Sequence, residues 1–317
     1  MTVVGYGHQG RAQALCLRDS GVHVVVGARA GGAGERAARA DGFESLEPAR
    51  AVLGADYVAC LLPDEILPRY FEEHLAAALP RGAAVVLAHG FAAVYGGLAA
   101  PAERDFLLVS PGAPGVVLRA EFEAGRGVPY YLAVLADRSG EAWARCHAYA
   151  EALGSGRPGG AVVETTAREE TEVDLFGEQA VVVGGMLELV QAAFTTLVEA
   201  GYDERLAYLE CIHQLKHLVD VVHEVGPDGL RDRISGTALY GALTRGPRVV
   251  NALSRAALSN LLEEIRGGAF AAEWRAEAAA GRPRLKALLA RAREQGLGRA
   301  RELALGPRPG RPAGTTR

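Results

Sequence analysis

Short β-branched runs alternate with Ala- and Leu-rich amphipathic stretches over the first half of the chain, and this alternation constrains the fold most. It predicts an α/β arrangement in which strands and helices form a doubly wound, mostly parallel sheet. The predicted strands are Thr2–Gly5, His23–Gly27, Tyr57–Leu62, Ala84–Ala88, Phe106–Ser110, Tyr130–Ala136 and Ala161–Glu164. From about Thr166 the pattern changes to long helices. We therefore predict an α/β domain over residues 1–165, an all-α domain over 166–305 and a disordered tail over 306–317.

A glycine-rich turn directly follows the first predicted strand and opens a helix that begins near Gln9. Its glycines allow a tight turn and let backbone N–H groups approach a pyrophosphate at the helix N-terminus. The turn therefore predicts a Rossmann-like dinucleotide-binding domain in preference to an ordinary glycine-rich loop. The candidate cofactor-binding residues are Gly5, Tyr6, Gly7, His8, Gln9 and Gly10.

The second predicted strand leads to Arg29, at the position where a NAD-specific site usually carries an acidic residue. Together with Arg36, Arg29 could bind a 2′-phosphate through charge-assisted hydrogen bonds, which favours NADPH. Glu35 lies in the same loop and could instead bond the ribose diol, so NADH is also possible. The alternative is that these three residues are solvated loop charges.

The third and fourth predicted strands end in LLPDE and AHGF, at the carboxyl edge where open α/β sheets bind ligands. Leu62 and Pro63 are candidate cofactor contacts at this edge. His89 is a candidate catalytic residue, because its place at a strand end before a glycine favours function over a purely structural role. The next strand ends in the turn 110–115, which could lie against the nicotinamide ring and makes Gly115 a further cofactor candidate.

Asp174 and Glu178 stand four residues apart in an otherwise apolar helical stretch, so their carboxylates point the same way. An uncompensated buried carboxylate is costly, so a cation or a cluster of donors should lie opposite them. Mg²⁺ is the predicted cation, because it prefers oxygen ligands. The alternative is a pair of acids near a helix N-terminus that the helix dipole stabilises.

A second polar stripe lies on the predicted helix Leu206–Val225, and its members are Glu210, His213, Gln214 and His217. Glu210 is a candidate partner of the two earlier acids, and a solvated helix face is the alternative. A glycine-punctuated loop over Arg231–Gly241 then carries Ser235, which is either a helix-cap hydroxyl or a donor to a substrate carboxylate.

Composition bounds the class of protein. The net charge of -4, the pI near 6.1 and the lack of a long basic stripe argue against nucleic-acid binding. No apolar run is expected to reach the length of a membrane span, and no leader is recognised, which favours the cytoplasm. The four cysteines lack CxxC spacing and are predicted to be buried, reduced thiols.

Two further helices are predicted: Val181–Val198, buried in a core or an interface, and Leu258–Arg282.

Taken together, these segments resemble the ketol-acid reductoisomerases from Thr2 to about Leu303. The segments in family order and spacing are GYGHQG, LLPDE, AHGF, PGAPG, EETEVDLFGEQA, LVEAGY, YLECIHQLK, ISGTALYG, GPRV and FAAEW. The resemblance implies NAD(P)H in the first domain, Mg²⁺ ions, and an all-α, often knotted or interwoven second domain. It further implies conversion of a 2-aceto-2-hydroxy acid to a 2,3-dihydroxy acid in branched-chain amino-acid biosynthesis.

The resemblance also implies roles for single residues. Asp174 and Glu178 would be metal ligands, with Asp174 bridging, and Glu210 and Gln214 would be ligands from the second helix. Glu210 and Ser235 would contact substrate, and the strand-end histidine would be catalytic. Short members of the family build each site from two chains, so we expect a homodimer or higher homo-oligomer with Glu210 and Ser235 facing the first two acids across the interface.

Several positions depart from the family pattern. Gly112 and Val116 stand where the family has a lysine and a histidine, and Gly32 and Gly34 replace two phosphate-binding serines. Gln214 replaces a glutamate, so the metal site is short of one negative charge and one metal should bind more weakly.

Three interpretations stay open. The chain could catalyse the full reaction, or it could reduce or oxidise a different 2-keto or 2-hydroxy acid after losing alkyl migration, in secondary metabolism. Migration makes the heavier demand on charge at the metals, so the departures should harm it more than hydride transfer. The third interpretation, an inactive cofactor-binding homologue, is disfavoured by the retained acids, His89 and Ser235.

Overall fold

The structure, a computed structural model, describes residues 1–307, so the predicted tail lies almost entirely outside the described residues. Two compact units follow one another along the chain, Met1–Asp174 and a second that begins at Leu175. The predicted domain boundary lies earlier, after Thr165 and the last predicted strand.

The first unit is built on one sheet. Within residues 1–307 eight strands form this sheet, and they are β1 Thr2–Val4, β2 Val25–Gly27, β3 Glu44–Leu46, β4 Tyr57–Cys60, β5 Ala84–Leu87, β6 Asp105–Pro111, β7 Pro129–Ala136 and β8 Ala161–Glu164. The strand order is β3-β2-β1-β4-β5-β6-β7-β8, and neighbours are parallel except for the antiparallel pair β6 and β7. The predicted mostly parallel sheet is confirmed, whereas the short edge strand β3 was not predicted.

Helices cover both faces of the sheet. They are α1 His8–Asp19, α2 Ala33–Ala40, α3 Pro48–Ala51, α4 Leu67–Tyr70 with a π turn over Phe71–Leu75, α5 Phe91–Val94, α6 Gly115–Glu123, α7 Ala142–Ala152 and α8 Ala167–Gly177. Successive strand residues point to opposite faces, so Leu107 packs in one hydrophobic core and Leu108 in the other. This double burial explains why the strands are continuous apolar runs.

A buried carboxylate ties the start of β6 to the loop before α7. Asp105 accepts hydrogen bonds from the backbone N–H groups of Arg138 and Ser139, at 2.7 and 3.0 Å, and from the Ser139 hydroxyl. Arg145 lies 2.9 Å away as its counter-ion. Burial raises the pKa of Asp105, but these partners outweigh it and hold the pKa below its ordinary value.

The second unit is helical throughout its described part, as predicted. After a π turn over Glu178–Val182 come α9 Gly184–Glu199, α10 Glu204–Tyr208, a π turn over Leu209–His213, α11 Gln214–Arg231, α12 Gly236–Val249, α13 Ala252–Arg266, α14 Ala269–Ala279, α15 Pro283–Glu294 and α16 Leu297–Leu305. The backbone of α11 breaks at Gly226, which has φ 74° before Pro227. Helical structure up to Val225 thus agrees with the predicted helix.

Two predicted boundaries in this unit were wrong. The loop predicted over Arg231–Gly241 already becomes helix α12 at Gly236, because Ser235 caps that helix. The single helix predicted over Leu258–Arg282 is interrupted at Gly268, whose left-handed φ of 76° ends one helix and starts the next.

Much of the apolar surface of α9 and the preceding turn is exposed in this single chain. Val181, Val182 and Leu187 are 57%, 59% and 50% exposed, and the buried residues of α9 are Val190, Gln191 and Phe194. The stretch predicted as a buried helix therefore has a buried side and an exposed apolar side. Exposed apolar patches of this kind mark surfaces that bind other molecules.

Within residues 1–307, one continuous helical stretch, Ala167–Glu199, is long and apolar enough to cross a membrane. The expectation that no apolar run reaches this length was wrong, because α8, the π turn and α9 join end to end. Core helices of soluble proteins reach the same length and apolar character. All four cysteines are free, and three of them are buried, as predicted, whereas Cys211 is half-buried.

Candidate active site

The glycine-rich loop between β1 and α1 has the geometry of a dinucleotide-binding turn. Gly5 has φ +95°, and a Cβ there would lie 2.6 Å from the carbonyl oxygen of Leu61. A Cβ on Gly10 would lie 2.1 Å from the carbonyl oxygen of Gly5, whereas one on Gly7 would meet no atom within 4 Å. The first and third glycines therefore serve packing, and the second leaves open space at the N-terminus of α1.

Tyr6 fixes this loop from within. Its ring is buried, and its hydroxyl donates to Oδ2 of Asp41 at 2.9 Å. Arg11 forms a bidentate ion pair with the same carboxylate, with Nε 2.6 Å from Oδ2. Tyr6 thus presents only its backbone to a ligand. Sequence reasoning missed Asp41, which follows α2 and has no motif of its own.

The turn after β6 packs against the glycine-rich loop. Gln9 donates from Nε2 to the carbonyl oxygen of Ala113 at 2.9 Å. A Cβ on Gly115 would lie 2.3 Å from the carbonyl oxygen of His8, so only glycine fits there without movement. His8 and Gly115 also line a groove of about 420 Å³ between α1 and α6. The structure thus brings the predicted cofactor residues of two separate segments together.

The charged loop after β2 is ordered by Glu35. Its carboxylate accepts a hydrogen bond from the backbone N–H of Gly31 at 2.6 Å and from Arg39 at 3.0 Å. The Gly31 N–H and Arg39 hold the pKa of Glu35 below its ordinary value. Arg36 donates to the carbonyl oxygen of Gly31, and Arg29 is exposed. Glu35 therefore occupies the Gly31 N–H, which could otherwise donate a hydrogen bond to a 2′-phosphate.

The loop after β4 also borders the glycine-rich turn. Leu62 is half-buried, and its Cδ2 lies 3.0 Å from the position a Cβ on Gly5 would take. Pro63 is exposed, and its carbonyl oxygen accepts from the N–H groups of Ile66 and Leu67. Leu62 therefore lies beside the dinucleotide loop, and both candidates follow β4 at the same edge of the sheet.

His89 follows β5 and contacts two acids of α8. Its Nδ1 lies 3.2 Å from Oε1 of Glu170 and 3.6 Å from Oδ2 of Asp174. The Glu170 side chain is 1% exposed, whereas those of His89 and Asp174 are 24% and 42% exposed. The second oxygen of Glu170 accepts from the backbone N–H of Gly90 at 3.0 Å.

The electrostatics of this cluster follow from its contacts. Burial lowers the pKa of His89, but its hydrogen bond to Glu170 and the charges of Glu170, Asp64 and Asp174 outweigh burial and raise the pKa to about 9. Burial raises the pKa of Glu170, and hydrogen bonds from His89, Ser110 and the Gly90 N–H lower it below its ordinary value. The pair is a charged histidine held against a buried carboxylate.

Gly90 lets α8 approach this closely. A Cβ at this position would lie 2.2 Å from Oγ1 of Thr171 and 2.8 Å from the carbonyl oxygen of Ala167. Sequence reasoning identified His89 and Asp174 but missed Glu170, which the structure places deepest in the cluster. A signal was present, because Glu170 lies four residues before Asp174 and so shares its helix face.

The remaining candidate ligands lie on exposed helix positions. Glu178 begins the first π turn of the second unit and Glu210 lies in the other, and both are exposed. Gln214 is exposed at the start of α11. π turns inside helices are frequently found at functional sites, so their coincidence with two candidate metal ligands supports those candidates.

Ser235 caps helix α12. Its Oγ accepts a hydrogen bond from the N–H of Ala238 at 3.2 Å, so its own proton remains free to be donated outward. His213 and His217 stand edge to face with ring centroids 5.4 Å apart. The alternative that Asp174 lies at a helix N-terminus does not hold, because the first-turn acids of α8 are Glu169 and Glu170.

Among residues 1–307, no group of three or more His, Cys, Asp or Glu side chains has an arrangement that could hold a metal ion. Asp174 and Glu178 nevertheless carry the hard carboxylate oxygens that Mg²⁺ prefers.

Comparison with known proteins identifies the family. Residues 1–159 match the family model described as acetohydroxy acid isomeroreductase, NADPH-binding domain, and residues 167–302 match that of the ketol-acid reductoisomerase C-terminal domain. The chain belongs to the ketol-acid reductoisomerase family. This ketol-acid reductoisomerase homologue is therefore an NAD(P)H-dependent oxidoreductase with a small-molecule substrate.

Solved structures agree with the family assignment. An NADH-preferring ketol-acid reductoisomerase from an uncultured archaeon matches with a TM-score of 0.90 and 36% identity, over 96% of this chain and 94% of that chain. A semialdehyde dehydrogenase NAD-binding protein from Cupriavidus necator matches with a TM-score of 0.64 and 18% identity, over 84% of this chain and 97% of that one. A putative oxidoreductase from Jannaschia sp. matches with a TM-score of 0.61 and 17% identity, over 83% and 96%. The last two share only the fold with this reductoisomerase homologue.

Proposed function

We propose that this protein converts a 2-aceto-2-hydroxy acid to a 2,3-dihydroxy acid by Mg²⁺-dependent alkyl migration and NAD(P)H-dependent reduction, in branched-chain amino-acid biosynthesis. The observation that carries the proposal is the His89–Glu170–Asp174 cluster. It lies at the carboxyl ends of β5 and β6, the edge of the parallel sheet at which the dinucleotide loop after β1 also lies. A cofactor in that loop and a substrate at the cluster would share one edge of the sheet.

Each part of the chain would have a distinct task in this reaction. The nicotinamide supplies a hydride when it is bound. The open face at Gly7 and the N–H groups that begin α1 would bind its pyrophosphate. His89, held by Glu170, would donate a hydrogen bond to a substrate oxygen and stabilise negative charge there. Asp174 would be a ligand of Mg²⁺, which polarises a substrate oxygen when it is bound.

The metal site would be completed by a second chain. We propose that Asp174 and Glu178 bind Mg²⁺, one ion or two, together with Glu210 and Gln214 of a partner subunit, and that the partner's Ser235 binds the substrate carboxylate. The exposed apolar side of α9 and the exposed positions of Glu210 and Gln214 support this proposal. The segment 166–305 would thus serve metal binding, substrate binding and assembly into a homodimer or larger homo-oligomer, with the knotted or interwoven arrangement of the family.

Gln214 gives this proposal its own test. An amide oxygen can coordinate Mg²⁺ but brings no charge, so Gln214→Glu should tighten Mg²⁺ binding in calorimetry on the assembled protein. Gln214→Leu, which lacks a ligand atom, should weaken it. Equal affinities for all three proteins would remove Gln214 from the site.

We propose that both nicotinamide cofactors are used, with NADPH preferred through Arg29. The contacts of Glu35 favour NADH, because its carboxylate lies where a 2′-phosphate would meet repulsion. Arg29→Ala removes the proposed contact with the 2′-phosphate and should lower the preference for NADPH. An unaltered ratio of the KM values for NADPH and NADH would exclude that contact. We further propose a cytoplasmic protein that binds neither nucleic acid nor membrane, in line with its acidic pI and its family.

A second candidate is a reductase or dehydrogenase of a different 2-keto or 2-hydroxy acid that has lost alkyl migration. The absence of a side chain at Gly112 and of a carboxylate at Gln214 favours it, because migration depends most on charge near the metals. Such an enzyme would retain the dinucleotide loop and the His89–Glu170 pair.

One experiment separates these candidates. The protein is incubated with NADPH or NADH, Mg²⁺ and either 2-acetolactate or 3-hydroxy-3-methyl-2-oxobutanoate, the migrated keto acid, and cofactor oxidation is followed. Turnover of both acids supports the full reaction, and turnover of the keto acid alone leaves a reductase. Turnover of neither, with cofactor still bound, points to another substrate or an inactive homologue.

A further inference from the structure

The ring of Tyr131 lies where a side chain at position 112 would begin. A Cβ built on Gly112 would be 3.3 Å from both Cε2 and the hydroxyl oxygen of Tyr131. The backbone holds the two residues in this relation, because the N–H of Gly112 donates to the carbonyl oxygen of Pro129 at 2.8 Å. The absent side chain of one residue thus makes room for the ring of the other.

Tyr131 lies on the same face of the sheet as the histidine–carboxylate pair. β6 and β7 are antiparallel, and Tyr131 is directly opposite Ser110. Directly opposed residues point to the same face, and so do residues two apart on one strand, which places Ser110, Gly112 and Tyr131 together. The Ser110 side chain hydrogen-bonds to Glu170, the partner of His89. The ring therefore extends along the active-site face towards the turn that contacts the dinucleotide loop.

The Tyr131 hydroxyl is available to a ligand. The residue is half-exposed, and its hydroxyl makes no hydrogen bond to any part of the chain from residue 1 to 307. The adjacent Tyr130 behaves differently: it is fully buried on the opposite face, and its hydroxyl donates to the carbonyl oxygen of Leu153 at 2.9 Å. Tyr131 therefore has an unused hydrogen-bond donor beside the His89–Glu170 pair and the turn after β6, as expected of a substrate-binding residue.

We propose that Tyr131 is a substrate-binding residue whose hydroxyl donates a hydrogen bond to an oxygen of the 2-keto or 2-hydroxy acid held at the His89–Glu170 pair. The proposal rests on the proposed function for the class of substrate. It gives a function to the glycine at position 112, since any larger residue there would have to displace the Tyr131 ring.

Tyr131→Phe tests the proposal because it removes the hydroxyl and leaves the ring over Gly112. The variant should lose about five- to tenfold in kcat/KM for 3-hydroxy-3-methyl-2-oxobutanoate, the loss expected for one hydrogen bond. Its KM for the nicotinamide cofactor should not change. Tyr130→Phe is the matched control in the same strand: it should lower the denaturation midpoint and leave kcat/KM of the folded enzyme as in the wild type.

Binding provides a second readout that does not require turnover. Calorimetry with the keto acid, in the presence of oxidised cofactor and Mg²⁺, should show affinity about five- to tenfold weaker for Tyr131→Phe and unchanged for Tyr130→Phe. Gly112→Ala should also lower kcat/KM by pushing the ring aside, and the loss should vanish in a Tyr131→Ala background. Persistence of the full loss in that background would show that Gly112 does not act through Tyr131.

The outcomes separate this proposal from the proposed function. An active wild type whose kcat/KM and acid affinity do not change in Tyr131→Phe overturns the Tyr131 contact and leaves the function intact. The same conclusion follows if Tyr130→Phe reduces acid affinity equally. A wild type that neither turns over nor binds the acid overturns the proposed function, and the Tyr131 contact with it.

Discussion

Replacement of Glu170 by glutamine tests whether the buried carboxylate holds the active-site edge of the first unit together. The side chain is 1% exposed and receives hydrogen bonds from His89, the Gly90 N–H and Ser110. Glutamine has nearly the same shape, so the perturbation removes the charge and leaves the volume unchanged. His89 can still bond to the new amide if it loses the proton on Nδ1.

The magnitude follows from these three contacts. Hydrogen bonds to a charged group contribute about 1.5–3 kcal/mol, and those between neutral groups about 0.5–1.5 kcal/mol. Each contact of Glu170 should therefore lose about 1 kcal/mol, and the variant should be destabilised by roughly 2–3 kcal/mol. With an ordinary urea dependence, this loss lowers the denaturation midpoint of the first unit by about 1 M.

The chain's two tryptophans allow the first unit to be followed separately. Trp143 lies in α7 of the first unit and Trp274 in α14 of the second. In a Trp274→Phe background, fluorescence reports on the first unit alone during urea unfolding. The matched control is Glu169→Gln, since Glu169 is exposed on the same helix and should change stability by no more than about 0.5 kcal/mol. Equal midpoints for Glu170→Gln and this control would refute the inferred role of the charge.

Three further predictions follow from the same structure. Asp105→Asn should destabilise the first unit by roughly 2–3 kcal/mol at pH 7. Because folding lowers the pKa of Asp105, its contribution to stability is complete above the unfolded pKa near 3.8 and is lost as the pH falls through the folded pKa. Urea unfolding should therefore show a large difference in stability between the wild type and Asp105→Asn at pH 7 and almost none in strong acid. Gly7→Ala should fold normally and bind the cofactor more weakly in a fluorescence titration, whereas Gly10→Ala should lower the thermal midpoint. A destabilised Gly7→Ala together with a stable Gly10→Ala would contradict the packing of the loop. Glu35→Gln should raise the affinity for NADPH relative to NADH, and an unchanged ratio of KM values would place the carboxylate away from the ribose.

Seven strands of the sheet were recognised from the sequence within one or two residues of their ends. The central strands β1, β4, β5 and β6 are buried on both faces and are therefore continuous apolar runs, whereas β8 is exposed along its length and was recognised from its β-branched residues. The strand over Glu44–Leu46 escaped because it is three residues long and has only one buried residue. A strand this short has neither the apolar run nor the alternation that identifies a strand.

The candidate site was only partly predictable for a related reason. His89 and Asp174 belong to segments with a recognisable order. Glu170 shares a helix face with Asp174, but its contacts come from a close approach of α8 to Gly90 that this spacing does not encode. The same holds for Tyr131, whose position depends on the register of β6 and β7. Residues that act through tertiary proximity become visible only when the distances are known.

The π turns that contain Glu178 and Glu210 make insertions and deletions more harmful than substitutions at these places. A π turn holds more residues per turn than an α-helix, so a one-residue deletion in Leu209–His213 would convert the turn to regular α-helix. The spacing between Glu210 and Gln214 would then fall from four residues to three, although no side chain had been replaced. The number of residues in each π turn is therefore constrained as well as their identity. Homologues that keep this chemistry should have no insertion or deletion in either turn.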